Sequence, residues 1–153
     1  MIIRPAKSSE AGALTALALE AKRYWGYPDH WIERWKDDLT VSPDYLASNQ
    51  VNVAEEHDQI VGFYALLVQG DKAELDHLWV APEHIGSGVG KQLFLHAMQN
   101  ASEQNIGTVA VLADPNAEGF YLKMGAYKIG EEVTEIDGQP RVLPRLTVSA
   151  KKS

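Results

Sequence analysis

Apolar and polar residues follow two different periods along this chain, one typical of helices and one typical of strands. The clearest helical pattern begins at residue 89, and its apolar side chains recur at every fourth position: Val89, Leu93, Ala97 and Ala101. A strand pattern over residues 73–80 precedes it, and a nearly all-apolar run over residues 108–113 follows it. We expect Gly107 to end the helix and the all-apolar strand to be buried on both faces. Strand, helix and strand in this order predict two parallel strands joined by a crossover helix.

The rest of the pattern predicts further strands and helices on either side of this unit. Strand patterns cover residues 1–5, 51–55, 60–68, 127–136 and 141–149, and helical patterns cover residues 8–25, 29–39 and 114–125. Residues 42–49 are expected to form a short turn of helix or a loop. We expect Asp29 and Asp114 to cap two of these helices and Gly125 to end the last one. Because only short polar turns separate the three strands between residues 51 and 80, these strands are expected to be antiparallel neighbours.

The loop before the helix at residue 89 carries glycines at alternate positions: Gly86, Gly88 and Gly90. Glycine lets a ligand approach the backbone, and a helix start offers unpaired amides to an anion, so this loop predicts a phosphate-bearing ligand. The nucleotide P-loop pattern fails, because Lys91 is followed by Gln92 and its first glycine would fall on Ile85. The dinucleotide pattern fails as well, because the spacing is G-x-G-x-G and position 91 is Lys. An ordinary glycine-rich turn is the alternative.

Composition and charge narrow the classes of function. The chain has 153 residues, 45% hydrophobic and 23% charged, which fits a single globular domain over residues 1–153. Its net charge of −7 argues against nucleic acid as a partner and is compatible with a cationic amine. The absence of cysteine excludes a disulfide framework and a cysteine nucleophile, and the five histidines have no paired metal spacing, so no metal is expected. Without a recognisable signal peptide or long apolar run, we expect a cytoplasmic protein with no membrane partner.

Two linked segments, LWVAPEHIGSGVGKQL and NAEGFYLKMGA, resemble the motifs of the GNAT family of acetyl-CoA-dependent N-acyltransferases. That family has an Arg/Gln-x-x-Gly-x-Gly/Ala loop after a strand that ends in Val-x-Pro. Its later helix carries an Asn near the start and an aromatic-Tyr pair before a Gly. The matching residues here are Val80, Pro82, Gly88, Gly90, Asn116, Phe120, Tyr121 and Gly125. One position departs, because Ile85 stands where the family has Arg or Gln, which removes a side-chain contact there.

The resemblance implies a GNAT-like α/β (α+β) fold, with a mixed, mostly antiparallel central sheet and helices on both faces. It implies N-acetyl transfer from acetyl-CoA to a small amine or amino-terminal group. In this reaction Tyr121 would be the general acid that protonates the CoA thiolate. The alternative role for Tyr121 is packing against Phe120. The residues expected to hold acetyl-CoA are Leu78, Trp79, Val80, Gly86, Ser87, Gly88, Val89, Gly90, Lys91, Asn116 and Tyr121. An enzyme that uses another acyl-CoA donor is the runner-up. A non-catalytic acyl-CoA-binding sensor or regulatory module is the alternative function, and a homodimer stays open.

Two carboxylates on the strand at residues 73–80 are candidates for the general base. Strict alternation places Glu74, Asp76, Leu78 and Val80 on one face and Leu75, His77 and Trp79 on the other. Carboxylates in a central strand are costly unless they are hydrated or paired. We therefore interpret Glu74, and after it Asp76, as the base that acts directly or through water, with simple hydration as the alternative. His77 is expected to be structural and is kept as a further candidate.

An aromatic cluster in the first third of the chain is the candidate wall of the acceptor pocket. In the GNAT family this segment is where acceptor specificity varies. We therefore expect Trp25, Tyr27 and Trp31 to contact the small-molecule amine. Core packing of two amphipathic helices is the alternative.

Overall fold

A seven-stranded sheet forms the centre of the computed structural model, which describes residues 1–150. Its strands are β1 (Ile2–Pro5), β2 (Gln50–Glu56), β3 (Gln59–Gln69), β4 (Lys72–Val80), β5 (Thr108–Leu112), β6 (Tyr127–Ile136) and β7 (Gln139–Ser149). They are arranged in the order β1-β2-β3-β4-β5-β7-β6. β4 and β5 run parallel, and the other neighbouring pairs are antiparallel. This confirms the predicted mixed, mostly antiparallel sheet.

Helices cover both faces of the sheet, as predicted. The helices are α1 (Ala11–Tyr24), α2 (Asp29–Arg34), α3 (Lys36–Leu39), α4 (Pro43–Ser48), α5 (Val89–Glu103) and α6 (Glu118–Lys123). Buried residues of α5 and α6 share one core cluster with the sheet, which includes Leu93, Phe94 and Tyr121. Residues of α1 and α3 form the other cluster with β2 and β3, which includes Leu14, Leu39 and Phe63. In the part of the chain described here, no helix is long and apolar enough to cross a membrane.

The helix ends follow local signals, with two corrections. The side chain of Asp114 accepts a hydrogen bond from the Asn116 amide (2.8 Å), and Gly125 follows α6 with a φ of 101°, as predicted. Gly107 does not end α5, because the chain already turns at Asn105, which has a φ of 63°. The predicted cap at Asp29 is also wrong: Pro28 is the capping residue of α2, and Asp29 is the first helical residue.

The prediction that β5 is buried on both faces is wrong. Val109 and Val111 are buried, whereas Thr108 and Ala110 are exposed. The reason is that the cluster on the α1 side contains residues of β2, β3 and β4 but none of β5. β5 is therefore covered on the α5 side only.

A β-bulge at Asp76 changes the direction of the side chains along β4. Leu75 lies opposite Leu66 and His77 lies opposite Ala65, so Asp76 is an extra residue without a partner on β3. As a result Leu75 packs in the same cluster as Leu78 and Val80, while Trp79 packs in the other. The strict alternation predicted for this strand is wrong for this reason.

β4 and β5 diverge after a short stretch of pairing. Ala73 pairs with Val109 and Glu74 with Ala110, and no later residue of β4 pairs with β5. On its other edge β4 stays paired with β3 as far as Val80. The second half of β4 therefore has one free edge, which opens a wedge in the middle of the sheet.

Candidate active site

A cleft of about 900 Å³ fills the wedge between the two diverging strands. Residues 75–80 of β4 form one wall, and residues 111–114, at the end of β5 and just after it, form the other. Residues of the glycine loop, of helices α1, α2, α3 and α6, and of strands β6 and β7 also line it. The size is that of a site for a sizeable small molecule.

The glycine loop meets the physical requirements of an anion site. Gly86 and Gly88 have φ values of 83° and 91°, and a Cβ at either position would meet open space. The first hydrogen bond of α5 joins the Gln92 amide to the Gly88 carbonyl (3.0 Å). The amides of residues 89–91 therefore have no partner within the helix and are available to an anion. Ile85, which replaces the basic or amide residue of the family motif, is 44% exposed and lines the cleft.

The free edge of β4 offers unpaired backbone groups to the same cleft. Leu78, Trp79 and Val80 line the cleft, and their strand is hydrogen-bonded on the β3 side only. An extended ligand with amide groups is able to bind such an edge as an added strand. The glycine loop and this edge together suit a long ligand that has an anionic part and an amide-bearing arm.

Tyr121 lies in the wall of the cleft with its ring in the core. The ring packs against Phe120 and Phe94, with centroid distances of 5.3 and 6.1 Å. Within residues 1–150 its hydroxyl has no hydrogen-bond partner, and it is not among the fully buried polar atoms. Burial and the nearby charge of Asp114 raise the pKa of Tyr121 above its ordinary value, so the hydroxyl keeps its proton at neutral pH.

The bulge brings one of the two candidate carboxylates to the cleft. Asp76 lines the cleft, and its Oδ2 accepts a hydrogen bond from the Tyr45 hydroxyl (2.5 Å). Glu74 is exposed and is not among the residues that line the cleft. Partial burial, together with the charge of Asp76, raises the pKa of Glu74. Position in the cleft therefore favours Asp76 over the carboxylate that the sequence put first.

His77 is buried next to Asp76 and is held by its neighbours. The Trp79 indole donates a hydrogen bond to Nδ1 (2.9 Å), so the proton of a neutral ring is assigned to Nε2, which lies 3.6 Å from Asp76 Oδ2. Burial lowers the pKa of His77, while Asp76 opposes this shift. His77 is thus a buried imidazole that lies beside the carboxylate.

A buried ion cluster, consisting of Lys22, Asp114, Arg141 and Tyr27, joins α1 to β7 and the end of β5. Lys22 Nζ lies 2.6 Å and Arg141 Nη2 lies 3.5 Å from Asp114 Oδ2. The Tyr27 hydroxyl lies 3.0 Å from both carboxylate oxygens and accepts a hydrogen bond from Arg141 (2.9 Å). Burial opposes ionisation of Asp114, but Lys22 outweighs it and holds the pKa of Asp114 below its ordinary value.

Sequence reasoning missed the two cations of this ion cluster. One signal was present: Lys22 falls on the buried stripe of α1, four residues after Ala18, and a lysine is rarely fully buried unless it is paired. No comparable sequence signal marks Arg141. Its position on β7 places its side chain next to Asp114.

The predicted aromatic residues take different positions. Trp25 lines the cleft and is 39% exposed, whereas Tyr27 and Trp31 are not among the lining residues. Tyr27 contacts Trp31 and Trp35, with centroid distances of 6.0 and 4.9 Å, and its hydroxyl belongs to the ion cluster. Trp35, which lies in the predicted helical segment 29–39 and was not among the predicted contacts, also lines the cleft.

Asn116 lies at the start of the segment that leads into α6, where it lines the cleft. Its Nδ2 donates to the Tyr27 hydroxyl (3.0 Å) and to Asp114 Oδ1 (3.1 Å). The amide is thus engaged within the protein, next to the ion cluster.

Comparison with known proteins identifies the family. A family model described as an acetyltransferase (GNAT) domain matches residues 20–141. The chain is 32% identical over 111 residues to a protein of Salmonella typhimurium named peptidyl-lysine N-acetyltransferase YjaB, covering 67% of this chain and 68% of that protein. It is 33% identical over 108 residues to the Escherichia coli protein of the same name, covering 71% of this chain and 65% of that one.

A solved structure has the same fold. The PaiA N-acetyltransferase of Thermoplasma acidophilum, solved in complex with coenzyme A, superposes with a TM-score of 0.76 at 22% identity. The superposition covers 97% of this chain and 98% of that one.

Proposed function

The chain belongs to the GNAT family of acetyltransferases, and we propose on that premise that it transfers an acetyl group from acetyl-CoA to a primary amine. The amine attacks the thioester carbonyl directly, since there is no cysteine to carry the acetyl group in between. The observation that carries the proposal is that the wedge, the glycine loop and Tyr121 line one cleft. The names of the relatives favour an enzyme over the alternative of a non-catalytic sensor.

We expect acetyl-CoA to be held by backbone groups at both ends of the wedge. The unpaired amides at the start of α5 suit the pyrophosphate, since helix N-termini favour negative charge. The free edge at residues 78–80 suits the pantetheine arm. A Cβ at Gly90 would lie 3.5 Å from Phe120 and from Val80, at ordinary van der Waals distance, so the loop lies next to both walls. Lys91, which lines the cleft, supplies a positive charge near the pyrophosphate.

In the proposed reaction Asp76 takes the proton from the amine, directly or through a water molecule. An alkylamine is mostly protonated at neutral pH, so it has to lose a proton before it attacks. Support for Asp76 comes from its position on the cleft wall and from its contacts with Tyr45 and His77. Glu74 lies on the same strand but outside the cleft, so in this proposal it affects the amine only through its charge and does not take the proton.

The Tyr121 hydroxyl then gives its proton to the sulfur as the carbon–sulfur bond breaks. Support for this role comes from the hydroxyl's lack of a partner in the described part of the chain and from the position of Tyr121 in the wall of the cleft. A phenol that keeps its proton at neutral pH is a suitable acid for a thiolate, and the tyrosinate that remains is reprotonated from solvent. The nitrogen–carbon bond forms, the carbon–sulfur bond breaks, and the nitrogen releases its second proton to solvent. Asp76 also returns its proton to solvent, so the products are the N-acetyl amine, CoA and one net proton.

The acceptor is proposed to enter from the side of α1 and α3, where Trp25 and Trp35 line the cleft. The names of the two curated relatives suggest a lysine-type alkylamine as one candidate acceptor. Calorimetric titration with acetyl-CoA, followed by thiol release with a panel of primary amines, tests the proposal. Amine-dependent thiol release is the expected result. Tight acetyl-CoA binding without turnover of any amine would favour the sensor instead.

A further inference from the structure

The ion cluster contains more positive than negative charge. Lys22 and Arg141 flank the single carboxylate of Asp114, and the three side chains are only 10%, 12% and 9% exposed. A second cation in such a place is costly without a counter-ion, even in a chain with a net charge of −7. Asp38 also lines the cleft and its charge is felt by Lys22, but it is exposed and forms no ion pair with residues 1–150. An anionic group from a ligand would balance the charge.

Both cations keep hydrogen-bond donors that the protein does not use. Arg141 contacts Tyr27 and Asp114 through Nη2, and its Nε and Nη1 have no partner in the described part of the chain. Lys22 Nζ donates one hydrogen bond, to Asp114, although an ammonium group has three donors. Since both residues line the cleft, these donors are accessible to a bound molecule.

Aromatic rings hold the two cations in place. Lys22 Nζ lies 4.3 Å and the Arg141 guanidinium carbon 4.7 Å from the centroid of the Trp35 ring. Lys22 Nζ also lies 6.0 Å from the Trp79 ring, on the strand whose free edge faces the proposed thioester. The cationic pair is therefore fixed beside the place where acetyl transfer is proposed.

We propose that Lys22 and Arg141 form a carboxylate subsite, so that the preferred acceptor is a small amine that also carries a carboxylate, such as an amino acid. This rests on the proposed acetyl transfer and specifies its acceptor. The amine end of such a molecule is directed to Asp76, and its carboxylate to the cationic pair. A guanidinium and an ammonium side by side offer a carboxylate charge-assisted hydrogen bonds to both oxygens.

The test compares two acceptors with similar amines, 5-aminopentanoate and pentylamine, of which only the first has a carboxylate. Wild type is expected to have a higher kcat/KM for 5-aminopentanoate. In Arg141→Gln and Lys22→Gln this preference should fall by roughly 10- to 100-fold, the range for a hydrogen bond between charged groups. Arg141→Lys should keep part of it. Arg23→Gln, which removes a charge from the exposed residue next to Lys22, serves as the control and should keep the preference.

The ratio between the two acceptors is measured within each variant, so a general loss of stability does not affect it. Calorimetric binding of both compounds to the wild-type CoA complex gives the same comparison without turnover. If no amine is acetylated but 5-aminopentanoate still binds better than pentylamine, acetyl transfer fails while the carboxylate subsite stands. Three results would overturn the subsite: equal use and binding of both compounds, a preference for a lysine peptide without carboxylates, or weaker acetyl-CoA binding in Arg141→Gln with an unchanged ratio.

Discussion

At the scale of single residues, removal of the Tyr121 hydroxyl distinguishes a catalytic role of this side chain from a role in core packing. Tyr121→Phe keeps the ring against Phe94 and Phe120 and removes the proton donor. We expect kcat to fall by roughly 10- to 1000-fold, around the span of general acid catalysis, with acetyl-CoA affinity nearly unchanged. Steady-state kinetics and calorimetry measure the two quantities. Tyr127→Phe, at an exposed position of β6, is the control, and equal rates in both variants would contradict the role of Tyr121.

The two carboxylates of β4 differ in position, and their variants should differ in activity. Asp76→Asn should lower kcat/KM strongly, because Asp76 lies in the cleft, and Glu74→Gln should have a smaller effect. Steady-state kinetics of both variants with the same amine and acetyl-CoA, under identical conditions, measures the two losses. The opposite order of effects would restore the sequence-based preference for Glu74.

Individual site residues were predictable from the sequence where a motif fixes them. The glycine loop and Tyr121 belong to two linked sequence motifs. The spacing of residues within these motifs was enough to predict that both contribute to one site. The direction of Asp76 did not follow, because a bulge inserts one residue into β4 and leaves no mark in the apolar pattern. Arg141 was missed because its partners Asp114 and Tyr27 are distant in sequence, and only the folded sheet brings them together.

At the scale of elements, the start of α5 is the proposed pyrophosphate site. Gly88→Asp should abolish acetyl-CoA binding, because it adds a negative charge and a side chain at a φ of 91°. The loop is exposed, so the fold should largely persist. Calorimetry measures the binding, and Gly70→Asp in the β3–β4 turn, with a φ of 62°, is the control for backbone strain and charge. Unchanged affinity in Gly88→Asp would remove the loop from the site.

The ion cluster connects α1 with β7 and the end of β5, so Asp114 should matter for stability. Asp114→Asn leaves Lys22 buried without its counter-ion and should cost about 3 kcal/mol of unfolding free energy at pH 7. The pKa of Asp114 is lowered in the folded state, so its contribution is present above the ordinary value of about 4 and is lost as pH falls through the folded value.

Denaturant unfolding of wild type and Asp114→Asn at several pH values measures this contribution. The difference in unfolding free energy between wild type and Asp114→Asn should therefore become smaller as the pH falls. Asp71→Asn, in the exposed turn before β4, is the control and should unfold like wild type. A difference that stays constant down to pH 2 would mean that the ionised carboxylate is not what stabilises the fold.

At the scale of the whole molecule, the fold class followed from the sequence. The helical period of α5, between two strands, predicted the parallel pair, and short turns predicted the antiparallel strands. The wedge did not follow, because strand patterns do not reveal where two paired strands separate. The cytoplasmic location and the homodimer stay predictions.

Transfer of an isotopically labelled acetyl group from acetyl-CoA, followed by mass spectrometry, is the measurement that tests the account most directly. The intact protein and the amine are analysed during turnover in the same reaction. Direct attack predicts a label in the amine, an equal amount of free CoA, and no label on the protein. An acetylated protein that forms and decays at the rate of turnover would contradict direct transfer, and an unlabelled amine with every acceptor would contradict acetyl transfer itself.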